Sequence, residues 1–67
     1  MTAPTDRPTV ALGATGDAVH WIQRRLACKP DGQFGPRTQA AVMAFQQAAA
    51  LAADGSVGPL TWAALTT

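Results

Sequence analysis

His20 and Cys28 carry the most reactive side chains in this sequence, and their placement argues against using that reactivity. Eight positions apart, they would sit roughly 12 Å from each other along a helix, too far to share one zinc ion. A nucleophile needs a base within hydrogen-bond reach and a third group to orient it. One histidine, one cysteine and four scattered aspartates form neither a triad nor a carboxylate pair. What remains is recognition chemistry. Gln33, Arg37 and Gln39 cluster a guanidinium with two carboxamides, Ser56 adds a hydroxyl, and Trp21 and Trp62 add aromatic surface. Such groups hold a ligand without transforming it. The expectation is a chain that is not an enzyme and calls for no metal and no cofactor.

Those residues are distributed over a repeat. Asp31 to Val42 reads DGQFGPRTQAAV, and twenty-three residues later Asp54 to Leu65 reads DGSVGPLTWAAL, with seven of twelve positions identical. A repeat this dense implies one structural device used twice. Asp-Gly favours a corner, because the carboxylate accepts from backbone amides just ahead of it and glycine takes positive φ without strain. Gly-Pro then marks a helix entrance, since proline's missing N–H would have had no partner in the first turn. Phe34 and Val57, between corner and helix, are placed to plug a core.

Sixty-seven residues allow one small domain, which buries only about 60% of its unfolded surface. The lone Cys28 makes no internal disulfide, so packing must carry the fold. Four arginines and one lysine stand against four aspartates, for a net charge of +1. Arg24-Arg25 is the one adjacent cationic pair, which falls short of the broad patch that nucleic acid demands. No apolar run approaches the roughly eighteen residues of a membrane span, so no membrane insertion is expected. Met1 to Ala11 lacks the apolar core of a signal peptide, so the expectation is that the chain stays inside, is released by lysis, or is carried by a phage or secreted particle.

The elements that must position the recognition groups are helical. Residues 1–11, rich in Pro and Thr, read as a flexible N-terminal arm, and residues 12–67 as the domain. Val19, Ile22 and Leu26 fall at i, i+3 and i+7, a helical stripe closed by Lys29-Pro30, with Asp17 suited to its start. A second helix is expected from Pro36 to about Leu51, with Ala41, Val42, Phe45 and Ala49 inward and Gln39, Gln46 and Gln47 mostly outward. A third runs from Pro59 to about Leu65, too short to stand alone, so Trp62 and Leu65 must pin it. Period-two alternation is absent. The fold class is therefore all-α: a compact three-helix bundle joined by two DG-type loops. Trp21 lies about 200° around the first helix from Val19. Either it is an exposed contact surface or the arm covers it.

The strings Leu12-Gly-x-x-Gly-x-x-Val19-x-x-Ile-Gln23-x-x-Leu26, Asp31-Gly-x-Phe-Gly-x-x-Thr38-x-x-Ala-Val42-x-x-Phe-Gln46 and Leu51-x-x-Asp-Gly-x-Val-Gly-x-x-Thr-Trp62-x-x-Leu65 together resemble the peptidoglycan-binding domain found beside catalytic domains in bacterial and phage cell-wall hydrolases. The resemblance covers Leu12 to Leu65. It implies a three-helix fold that is not itself catalytic and that attaches an associated enzyme or particle to the wall. Gln23 and Gln46 match family positions and are suited to bracing loops through backbone groups.

Peptidoglycan offers acetamido sugars and stem peptides ending in carboxylates. Against that ligand the candidate residues are Gln33, Arg37 and Gln39 at the first corner, Ser56 and Trp62 at the second, and Trp21. Arg37 is the natural partner of a stem-peptide carboxylate. A plainer account exists for the corner residues: Asp31, Gly32, Gly35, Asp54, Gly55 and Gly58 suffice as turn formers, and Phe34, Val57 and Trp62 as core. An alternative function also stands, in which the same fold is a structural or adaptor subunit of a phage tail or other envelope-penetrating particle. It would bind protein through Trp21 and the N-terminal arm.

Overall fold

The computed structural model describes residues 9–66. Helices α1 (Asp17–Arg25), α2 (Pro36–Ala48) and α3 (Pro59–Leu65) follow one another, so the expected three-helix, all-α architecture is present. Pairing outside the helices is limited, among the described residues, to two isolated antiparallel bridges, Val10 with Val57 and Thr15 with Gln33.

The repeat sets the helix boundaries. Gly35 and Gly58 occupy the N-cap positions in extended conformation, and Pro36 and Pro59 open α2 and α3. In α1 Asp17 lies in the first turn and Arg24 and Arg25 in the last, each complementing the helix dipole.

Both α1 and α2 end earlier than their sequence suggests, and by the same device. Ala27 and Ala50 adopt φ of 59° and 61°. Cys28 N–H donates to Gln23 O at 2.8 Å and Ala27 N–H to Arg24 O at 3.3 Å. Leu51 and Ala50 do the same to Gln46 O and Gln47 O at 2.8 and 3.2 Å. These are Schellman closures with alanine where glycine is usual. Thus α2 stops at Ala48 rather than near Leu51 despite its alanine-rich tail, because the following corner has to fold back onto Gln46.

The core draws Val19 and Ile22 from α1, Val42 from α2, and Trp62 and Leu65 from α3. Phe34 and Val57 plug it from the two corners, and both are buried. Full burial of side chains this size contributes about 1.5–3 kcal/mol each. Leu26 and Phe45, expected inside, are half-buried against this cluster. Two further expectations are corrected. Gln46 is not outward but only 1% exposed, because it is tied to the second corner. Ala49 is exposed, since α2 has already ended.

The N-terminal boundary also moves. Residues 1–8 of the expected arm lie outside the described residues, but Val10 belongs to the core, whereas Leu12 is largely exposed. Val10 exchanges two backbone bonds with Val57, at 3.1 and 2.7 Å. Gly13 N–H then donates to Phe34 O at 3.0 Å, Phe34 N–H to Ala14 O at 2.9 Å, and Gly16 N–H to Gly32 O at 3.1 Å. The segment 10–16, which turns at Leu12-Gly13 with Ala14 N–H donating to Ala11 O at 2.9 Å, therefore laces across both corners and fixes the two plugs.

Candidate functional site

Each corner is built on a buried glutamine. Gln23 Nε2 donates to Asp31 Oδ1 at 2.9 Å, Gln33 O at 2.8 Å and Thr38 Oγ1 at 2.9 Å, while its Oε1 accepts from Gly32 N–H at 2.9 Å. Gln46 repeats the set with Asp54, Ser56 O, Thr61 Oγ1 and Gly55 N–H at 3.1, 2.8, 3.1 and 3.0 Å. Only a carboxamide can do this, since it offers donors and an acceptor from one planar group. Oδ1 of each aspartate also accepts from the backbone two residues on, Gln33 N–H at 3.0 Å and Ser56 N–H at 2.9 Å. That backbone bond, and then the glutamine, hold the carboxyls of Asp31 and Asp54 below the usual carboxylate range, because each stabilises the charged form.

Outside each cradle lies an open groove. The first, about 640 Å³, is lined by Cys28, Lys29, Gln33, Pro36 and Arg37 over Asp31 and Thr38. The second, about 210 Å³, is lined by Leu51, Ala52, Ser56, Pro59 and Leu60 over Asp54 and Thr61. The two linings correspond position by position under the 23-residue shift. The first groove carries Lys29 and Arg37 against Asp31, one net positive charge, and the aspartate is already engaged from within.

Of the residues expected to meet a ligand, Gln33 and Arg37 share the first groove and are exposed. Gln39 does not join them. Its side chain lies over the second corner, so close that a Cβ added at Gly55 would stand 2.9 Å from Gln39 Cγ. Ser56 lies in the second groove. Trp62 is corrected outright: it is fully buried and presents no surface to a ligand. Trp21 is half-buried, not an isolated exposed ring. It stacks on Trp62 with ring centroids 5.6 Å apart at 40°. Its remaining surface lines a third, open concavity with Asp17, His20, Arg24 and Arg25. Lys29 is the groove residue that the sequence did not single out. The matching threonines Thr38 and Thr61, identical in the repeat, were the visible sign of the buried cradle.

Among the described residues no three His, Cys, Asp or Glu side chains gather as metal ligands, and no helix is long and apolar enough to cross a membrane.

Residues 15–65, from the Thr15–Gln33 bridge to the end of α3, match the family described as "Putative peptidoglycan binding domain". The chain belongs to the peptidoglycan-binding domain family. This domain is 48% identical to the zinc D-Ala-D-Ala carboxypeptidase of Streptomyces albus G, over 64% of the chain and 20% of that enzyme. It superposes on the Burkholderia AP3 phage endolysin with a TM-score of 0.88 at 39% identity, covering 91% of this domain and 25% of the endolysin. It also superposes on the SleB N-terminal domain with a TM-score of 0.85 at 34% identity, covering 88% and 89% of the two chains. The chain thus spans about a fifth of the carboxypeptidase and a quarter of the endolysin. Similarity to the domain's fellow members does not extend over those whole proteins.

Proposed function

We propose that this domain binds bacterial cell-wall peptidoglycan without catalysis through the groove of Lys29, Gln33 and Arg37, and so targets or anchors an associated enzyme or particle to the wall. The observation that carries this reading is the charge of the groove. Two cations stand over a cradle whose only acid, Asp31, already accepts from Gln23 and Gln33. A stem-peptide carboxylate pairs with the Arg37 guanidinium, and Gln33 meets the neighbouring amide or acetamido group.

Membership in the family and the likeness to an endolysin of a phage and to a zinc D-Ala-D-Ala carboxypeptidase support the same reading. An open groove on so small a domain fixes few ligand groups, so affinity falls in the micromolar to millimolar range, about −8 to −4 kcal/mol. Firm attachment then depends on many copies or on the carrier. Co-sedimentation of the chain with purified sacculi at low salt tests the proposal: it pellets with the sacculi and is released as salt rises. Absence from the pellet at low salt contradicts it.

A further inference from the structure

The internal repeat builds the groove twice, and the two copies differ almost only in charge and size. At matching positions Lys29 becomes Ala52, Arg37 becomes Leu60, Cys28 becomes Leu51 and Gln33 becomes Ser56, while the aspartate, threonine and Gly-Pro floor is kept. The charge therefore inverts. The first groove holds Lys29 and Arg37 against Asp31, whereas in the second Asp54 is the only charged lining residue. The second groove is also smaller, about 210 against about 640 Å³, and Leu60 is 73% exposed at its rim.

We propose that the second groove is a separate recognition site for the ammonium end of a small, methyl-bearing peptide. The ammonium faces the Asp54 carboxylate, and alanine-sized side chains lie against Leu51, Ala52 and Leu60. A floor with the same backbone and hydrogen-bonded frame accepts the same extended peptide shape. The loss of both cations removes any partner for a carboxylate, and the remaining aspartate repels one. Asp54 uses Oδ1 toward Gln46 and Ser56, so its charge is held in place without being neutralised by a cation of the lining. The apolar rim then selects small methyl groups over polar ones. The two grooves together would read the two free groups of an uncrosslinked wall peptide, its terminal carboxylate at one and its unlinked side-chain or bridge amine at the other. The inference rests on the wall-peptide reading of the first groove, and the two are tested by different probes.

The experiment follows backbone amide shifts of the 15N-labelled chain during titration with three dipeptides: D-alanyl-D-alanine amide with a free amine, N-acetyl-D-alanyl-D-alanine with a free carboxylate, and the doubly blocked form. The amine probe is expected to move residues 51–60, and the acid probe residues 28–38. Blocking the amine should weaken binding at the second groove about tenfold. Leu60→Arg changes an exposed side chain and should abolish the amine response while leaving the melting temperature unchanged. Ala52→Lys with Leu60→Arg should make residues 51–60 respond to the acid probe. No response to the amine probe, a response confined to residues 28–38, or equal binding of the doubly blocked form overturns the inference. So do shifts at Leu60 that depend on protein concentration alone, which mark a second copy as the occupant. Failure of the acid probe at the first groove bears on the wall-peptide reading instead.

Discussion

Gln46 grips the second corner with the same atoms by which Gln23 grips the first: Nε2 toward an aspartate, a backbone carbonyl and a threonine hydroxyl, and Oε1 toward a glycine N–H. The duplicated unit therefore begins well before Asp31 and Asp54. It includes the end of a helix, its alanine closure, the corner and the next helix start. Two hydrogens on each Nε2 serve three acceptors, so one is shared. Removing the carboxamide would strand a buried hydroxyl, a carbonyl and an amide together.

Gln23→Leu and Gln46→Leu keep the volume and lose the network. Each is expected to destabilise by at least about 2 kcal/mol, because several buried partners go unsatisfied at once. Urea denaturation measures it, and a loss under about 0.5 kcal/mol for either would show that the cradle is not what holds the corner.

The pH dependence follows from Asp31 and Asp54. Their folded pKa values lie below the ordinary carboxylate value of 3.8, so the folded state binds fewer protons than the unfolded one. Their stabilising contribution is complete above about pH 4 and is lost as pH falls through the depressed values. Thermal unfolding from pH 7 to pH 2 should show a steep fall below about pH 4. In the double variant Asp31→Asn, Asp54→Asn that fall should be shallower, and an unchanged profile would contradict the assignment.

Ala27 and Ala50 hold left-handed backbone that costs a non-glycine residue roughly 1 kcal/mol. Replacing either by glycine relieves that strain and adds unfolded-state entropy. The expected net gain is about 0.5 kcal/mol per site, read as a rise in melting temperature. A fall in melting temperature would mean that the closure tolerates alanine without strain.

The ring pair Trp21 and Trp62 makes a further test. Trp62→Ala empties a fully buried site and is expected to cost about 3–5 kcal/mol, enough to unfold a domain of this size. Trp21→Ala loses one half-buried face and a stacking contact worth about 0.5–1.5 kcal/mol beyond its area, so it should fold with a lower melting temperature. Equal losses for the two would contradict their unequal burial.

The corners, the proline-led helix starts and the plugs Phe34 and Val57 were legible because their causes are local: an aspartate's reach, a glycine's φ, a missing N–H. The short α3 and its anchors Trp62 and Leu65 followed from length alone. What escaped depends on partners distant in the chain. Gln46 reads as a loop brace from its family position but as a surface residue on a helical wheel, and the bonds to Asp54, Ser56 and Thr61 are what draw it inside. Val10 reads as part of a loose arm until it pairs with Val57. Trp21, from its angle to Val19, reads as either exposed or covered by the arm, but it is a ring from α3 that packs against it and leaves it half-buried. At the site, Arg37 and Gln33 were visible as a polar pair. Lys29 was read only as a helix stop, because nothing in the sequence tells that the loop after α1 returns beside Arg37.

The central claim is that the cationic groove holds the wall. Its most direct test compares wild type with Arg37→Ala and with Lys29→Ala, Arg37→Ala in sacculus co-sedimentation, with melting temperatures recorded alongside. Both side chains are exposed, so all three proteins should melt alike. The wild type should pellet, the single variant should bind about tenfold more weakly, and the double variant should stay in the supernatant. Equal pelleting by all three, at equal melting temperature, would contradict the account.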